Sequence, residues 1–189
     1  MSLRSLNPEN ATLVIVDFQS RLLKIMDDEV TARSVVNINF FTRMFRRWNA
    51  PVIVTEQYTK GLGATHEPIA SYLEGIEPIE KMVFSCCGEP RFMQALEQNG
   101  RRNIVLTGME THICVLQTVL DLLARDYTVF VAEDAVQSSN DLRYQSGLKM
   151  MRKAGALVLP TESILYQMLG RCDTDDFKHM VGLIKESRS

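Results

Sequence analysis

Three side chains capable of covalent chemistry stand at the ends of apolar runs. Asp17 follows Leu13-Val14-Ile15-Val16, Lys81 lies beside Ile79, and Cys114 comes shortly after Ile104-Val105-Leu106, in Gly108-Met109-Glu110-Thr111-His112-Ile113-Cys114-Val115. A long helical pattern follows Cys114. A thiol at a strand-to-helix turn sits near the positive end of a helix, where a cysteine pKa falls below its free value of about 8.5. An acid, an ammonium and a thiol at one sheet edge make a coherent set. Lys81 would hold the Cys114 thiolate, and Asp17 would take the thiol proton and pass it to a leaving amine. The sulfur would attack a carbonyl carbon, and water would release the product from the covalent intermediate. Backbone N–H groups at the turn before Cys114 would hold the oxyanion.

These residues need a scaffold that brings distant segments together. Short apolar runs at residues 13–16, 52–54, 104–106, 129–131 and 157–159 are unbroken and rich in β-branched residues, with a weaker one near 79–84. Unbroken apolar strands belong to parallel sheets covered on both faces. Helical patterns fill the intervals at 30–48, 90–98, 113–124, 141–154 and 161–169, with a last amphipathic one at 175–185. The alternation predicts a single α/β domain, a three-layer Rossmann-like fold with a mostly parallel six-stranded sheet. Residues 57–75, with Gly61, Gly63, Pro68 and Gly75, read as a lid or subunit contact. Thr161 is expected to cap the helix it opens.

Composition narrows the function classes. The chain has 189 residues and a formal net charge of -2, so no nucleic-acid partner is expected. Arg43, Arg46 and Arg47 read as a solvated helix face. No apolar run reaches the ~18 residues that cross a bilayer, so no membrane partner is expected. The four cysteines, Cys86, Cys87, Cys114 and Cys172, lack zinc-ligand spacing and read as reduced thiols. With a polar first stretch and a terminal Ser187-Arg188-Ser189 that lacks the last residue of a peroxisomal address, the expected location is cytoplasmic.

The motifs Val14-Ile15-Val16-Asp17-Phe18-Gln19, Glu80-Lys81-Met82-Val83-Phe84-Ser85 and Gly108 to Val115 resemble those of the isochorismatase-like cysteine hydrolase superfamily. Thr55-Glu56-Gln57-Tyr58, Lys60-Gly61-Leu62-Gly63 and Glu133 to Ser139 fit as well. The resemblance runs from about Ala11 to Leu169 and is nearest to small isochorismatase-domain proteins of undefined substrate. It implies a triad of Asp17, Lys81 and Cys114, a cis Met109–Glu110 peptide bond, and oxyanion donors at the N–H groups of Glu110 and Cys114. Phe18, Gln19, Tyr58, Phe84 and Thr111 are the expected substrate pocket. A homo-oligomer is implied too. Similar nicotinamidases carry an Asp and histidines after the second strand as a metal site. Here that stretch is Thr55 to Lys60 with only His66 beyond it, so neither metal nor other cofactor is expected.

The expected function is therefore a metal-independent hydrolase acting on a C–N bond of a small carbonyl compound, with vinyl-ether cleavage as a second reaction on the same scaffold. Two alternatives stand beside it. One is a non-catalytic interaction protein of the same fold; the other is a ribonuclease, disfavoured by the acidic charge balance. Taken singly, each member of the trio has an ordinary explanation: a buried thiol, a turn-forming Asp, a surface Lys. Their co-occurrence favours chemistry. His112 reads as a turn residue and Asp134 as one that orders its loop through backbone hydrogen bonds.

Overall fold

The computed structural model describes residues 5–187. The terminal stretches on which the leader and peroxisomal readings partly rest, 1–4 and 188–189, lie outside them. Six strands, β1 (Ala11–Val16), β2 (Val52–Gln57), β3 (Ile79–Lys81), β4 (Asn103–Met109), β5 (Thr128–Gln137) and β6 (Leu157–Leu159), form one parallel sheet in the order β3-β2-β1-β4-β5-β6. The chain winds outward from β1 in one direction and from β4 in the other. The strand order therefore reverses between β1 and β4, where open α/β sheets place their ligand crevice.

Every residue of β1 and β4 is buried. Alternate side chains serve opposite layers, as a period of two requires. Leu13 and Ile15 join Val105 and Phe130 against Phe41 and Phe45 of α1 (Asp28–Arg47), Ile164 of α7 (Thr161–Leu169) and Leu183 of α8 (Asp175–Glu186). Val14 and Val16 join Ile104 and Val131 on the other face. There they pack against Phe92 of α4 (Pro90–Asn99), Val119 of α5 (Leu116–Leu123) and Leu148 of α6 (Asp141–Ala154). Both faces of the sheet are thus sealed, which explains the unbroken apolar runs.

Some local expectations need correction. Residues 57–75 are not a bare loop; they hold two single-turn helices, α2 (Thr59–Leu62) and α3 (Glu67–Ala70). β5 continues six residues past the apolar run at 129–131. Its charged Glu133 pairs with Arg152, and Asp134 accepts from Thr161 N and Oγ1 at 2.8 and 2.6 Å. Pro160 holds the N-cap position of α7, so Thr161 is held by Asp134 rather than capping the helix itself. The arginine face of α1 is tied down: Arg43 pairs with Glu186, Arg47 with Asp176, and Arg46 donates to the Glu74 carbonyl.

Candidate active site

Asp17 leaves β1 with a left-handed φ of 46° and is fully buried. Its N–H donates to the Thr55 carbonyl at 3.1 Å, and the Thr55 hydroxyl donates to Asp17 Oδ1 at 2.7 Å. Lys81, the last residue of β3, reaches across β2 and donates from Nζ to Asp17 Oδ2 at 2.6 Å. The same ammonium faces Gln57 Oε1 at 2.7 Å and the carbonyls of Val83 and Phe84 at 3.1 and 3.2 Å. Burial works against its charge, but Asp17 foremost, with Cys86 and Cys114, outweighs this, so the Lys81 pKa is raised. A buried ion pair persists where further hydrogen bonds complete both partners, as they do here.

Cys114 arrives on a different kind of turn from the one expected. Helical spacing predicts a helix from residue 113, but Thr111–Val115 is a single π turn, and α5 starts only at Leu116. The Glu110 carbonyl accepts from Ile113 N at 3.0 Å and Val115 N at 3.2 Å, the amides on either side of Cys114. Such π turns recur at functional positions. The Met109–Glu110 bond is cis. Gly108, paired with Val16 across the sheet, has φ +111°, and a Cβ there would stand 2.0 Å from the Val16 carbonyl oxygen. Only glycine lets β4 approach β1 this closely beside the residue that precedes Asp17. On the far side, Gly147 of α6 leaves room for the Thr111 carbonyl, which a Cβ would meet at 2.8 Å.

The thiol does not match the expectation of a depressed pKa. Burial first, then the charge of Asp17, push Cys114 up to about 12, against a smaller lowering from Lys81; a side-chain hydrogen bond with Asp17 adds to the rise. Cys114 is 8% exposed and sits in the apolar layer with Val115 and Val119. The physical reason is that Lys81 spends its donors on Asp17, Gln57 and two carbonyls, so the sulfur senses the carboxylate more than the ammonium. Cys114 is therefore a neutral thiol beside a carboxylate able to receive its proton.

The expected pocket residues are distributed unevenly. Phe18 is a core side chain with its ring 6.3 Å from that of His66. Gln19 is buried, and its amide grips the backbone of the 57–63 segment: Oε1 accepts from Gln57 N at 2.8 Å, and Nε2 donates to the carbonyls of Gln57 at 3.0 Å and Gly63 at 2.5 Å. Tyr58, also left-handed, and Phe84 are exposed, Phe84 by 62%. Thr111 is buried, and its hydroxyl has no partner among the described residues. His112 Nδ1 lies 3.0 Å from Ser138 Oγ. Ser138 also lines a cleft of about 320 Å³ with Arg33, Ser139 and Tyr144, which does not include the trio. Among the described residues no three His, Cys, Asp or Glu side chains are grouped to hold a metal ion.

Thr55 and Gln57 lie in the Thr55-Glu56-Gln57-Tyr58 stretch but take no site role from it, and Cys86 and Thr118 take none either. Thr55 was detectable, because β2 neighbours β1 and the register pairs Val16 with Thr55. Gln57 pairs with Lys81 in the same way. Nothing in the sequence pointed to Thr118.

Comparison with known proteins gives the family. The family model described as Isochorismatase domain matches residues 11–163. Isochorismatase family protein 1B of Dictyostelium discoideum is 35% identical over 193 residues, covering 99% of this chain and 92% of its own. The structure of MAR1 ribonuclease from Caenorhabditis elegans superposes with a TM-score of 0.88 at 32% identity, covering 95% of this chain and 92% of that one. The octameric YcaC hydrolase of Escherichia coli, of unknown specificity, shares the fold at a TM-score of 0.89 and 19% identity, covering 100% of this chain and 95% of that one. A parallel six-stranded sheet, an acid, lysine and thiol gathered at its switch point, and a match over most of the length establish that this chain belongs to the isochorismatase family of hydrolases.

Proposed function

We propose that the chain is a metal-independent cysteine hydrolase that opens the C–N bond of a small amide. The observation that carries this is the Asp17 carboxylate, held by Lys81 and Thr55 and near enough to the Cys114 thiol for its charge to raise the thiol pKa. Asp17 takes the thiol proton as the sulfur bonds to the carbonyl carbon. The N–H groups of Glu110 and Cys114 receive the oxyanion. Collapse breaks the C–N bond, and the amine leaves with the proton from Asp17. A thioester remains on Cys114. Water, deprotonated by Asp17, attacks it, and the acid departs as the sulfur regains its proton. Lys81 holds the Asp17 carboxylate in place between steps.

Incubation with a panel of small amides, followed by intact-mass analysis, tests this. An acyl adduct on the wild-type chain that is absent from Cys114→Ala is the expected result. Turnover that survives Cys114→Ala would overturn it.

The ribonuclease in the name of the C. elegans relative supports a second activity, RNA cleavage. The near-complete burial of the sulfur weighs against it, since polynucleotides require open grooves with stacking faces. RNA hydrolysis at low salt that disappears in Cys114→Ala would favour it over amide cleavage. Homo-oligomerisation is supported by the octameric neighbour and by the exposed run Met82, Val83, Phe84 beside the site. Three buried free thiols support a reducing, cytoplasmic setting. Among the described residues no helix is long and apolar enough to cross a membrane.

A further inference from the structure

We infer that Cys86 is a positioning residue that acts through Thr55 on the proton affinity of Asp17, an inference that rests on Asp17 being the group that takes the Cys114 proton.

Counting hydrogens assigns the directions. Thr55 Oγ1 lies 2.7 Å from Asp17 Oδ1 and 3.6 Å from Cys86 Sγ. A hydroxyl has one hydrogen, and an ionised carboxylate only accepts. The Thr55 hydrogen therefore goes to Asp17, and the Cys86 S–H donates to Thr55 Oγ1. The main chain of the same residue serves the other half of the site. Cys86 N donates to Thr118 Oγ1 at 3.0 Å, which leaves the Thr118 hydrogen for the Cys114 carbonyl at 2.7 Å. One residue thus orients the hydroxyl at the carboxylate with its side chain and the hydroxyl at the nucleophile's backbone with its amide.

The thiol suits a donor role. Cys86 is fully buried at the start of a short 3-10 turn, Cys86–Gly88, packed in the layer that contains Cys114 and Val119. Burial, then Asp17, push its pKa up to about 11, so it keeps its proton across the neutral range. A hydroxyl that accepts one hydrogen bond gives its own hydrogen more strongly. Loss of the S–H leaves the Thr55 oxygen one donor short in a buried place and weakens its bond to Oδ1. A carboxylate that accepts a weaker hydrogen bond holds a proton more readily. The Cys86 side chain also meets the Thr118 hydroxyl, but the bond from Cys86 N to that hydroxyl does not depend on the side chain.

The test is the rate of iodoacetamide alkylation at Cys114, followed by peptide mass spectrometry from about pH 4 to about pH 10, with exposed Cys172 as the internal reference. Cys86→Ala should move the acid limb of the Cys114 profile upward by about half a pH unit, an approximately threefold slower reaction on that limb. Cys86→Ser, which keeps a donor, should restore it. Cys86→Val, a non-donor of similar bulk, should behave as Cys86→Ala, which separates the hydrogen bond from the cavity. Asp17→Asn distinguishes the two levels. If Asp17→Asn leaves the Cys114 profile unchanged, the assignment of Asp17 fails, and this inference with it. If Asp17→Asn alters the profile while Cys86→Ala and Cys86→Val superimpose on the wild type, Cys86 has no positioning role and the hydrolase assignment stands.

Discussion

Lys81 Nζ and Asp17 Oδ2 are 2.6 Å apart, and both side chains are shut away from solvent. They come from strands separated in the sheet by β2, whose Thr55 and Gln57 fill the remaining positions around the pair. The pair therefore welds three strands at their carboxyl ends as well as setting the charge beside Cys114.

Removing one partner should cost more than removing both. Lys81→Met leaves a buried carboxylate without its counter-ion, a change expected to destabilise by about 3–5 kcal/mol. The double change Asp17→Asn with Lys81→Met should recover a large part of that. Urea denaturation of the two single variants and the double completes the cycle. Strictly additive losses would contradict the coupling.

Stability should decline on the alkaline side. Cys86 is raised from its ordinary value of 9.0 to about 11, and Cys87 and Cys114 to about 12, each chiefly by burial. The unfolded chain releases these thiol protons from about pH 9, while the folded chain retains them. The stabilisation is thus complete below pH 9 and is lost as pH climbs through 11 to 12, by about 1.4 kcal/mol per pH unit for each thiol. Lys81, also raised, acts in the same direction above 10.5. Denaturant midpoints at neutral and alkaline pH measure this, and Cys87→Ser should flatten the slope. A midpoint that holds steady above pH 9 would show that the thiols are not perturbed.

The two close-approach glycines should separate folding from site geometry. Gly108→Ala places a methyl 2.0 Å from the Val16 carbonyl oxygen at a φ of +111°, forcing β1 and β4 apart in the centre of the sheet. Loss of the folded state, seen by circular dichroism, is expected. Gly147→Ala puts its methyl 2.8 Å from the Thr111 carbonyl, at the rim of the π turn. A folded protein with slowed alkylation at Cys114 is expected. Unaltered Cys114 reactivity in Gly147→Ala would mean that the turn is not sensitive to the seat of α6.

Gln19 should act as a clamp on the segment that carries Gln57. Gln19→Leu unpairs the Gln57 N–H and the Gln57 and Gly63 carbonyls, at a cost of about 1–3 kcal/mol for a buried group left unsatisfied. Faster hydrogen exchange at the Gln57 amide, with more rapid proteolysis within residues 58–63, is the expected readout. Unchanged exchange would assign the amide bonds a minor role.

The fold was legible in the sequence to an unusual degree, because β1 and β4 are buried on both faces and so carry no charged residue to blur the pattern. The legibility failed where polar residues serve the tertiary structure. β5 runs on through Glu133 and Asp134 because their carboxylates meet Arg152 and Thr161, partners invisible to a search for apolar runs. The regular helix expected at residue 113 gives way to a π turn because the Glu110 carbonyl collects two amides, one of them five residues ahead.

Residue types and order were enough to determine a parallel α/β sheet and to single out Asp17, Lys81 and Cys114 as candidates, since burial pattern and motif are properties of the chain itself. The state of those groups was decided only in three dimensions. Proton affinity depends on depth and on which atoms lie within hydrogen-bond reach, and Lys81 turned to Asp17, Gln57 and two carbonyls, leaving the Cys114 sulfur protonated. The roles of Thr55, Cys86 and Thr118 arise in the same way, from hydroxyls and a thiol that meet because the strands and the π turn converge on the one place where the sheet changes direction.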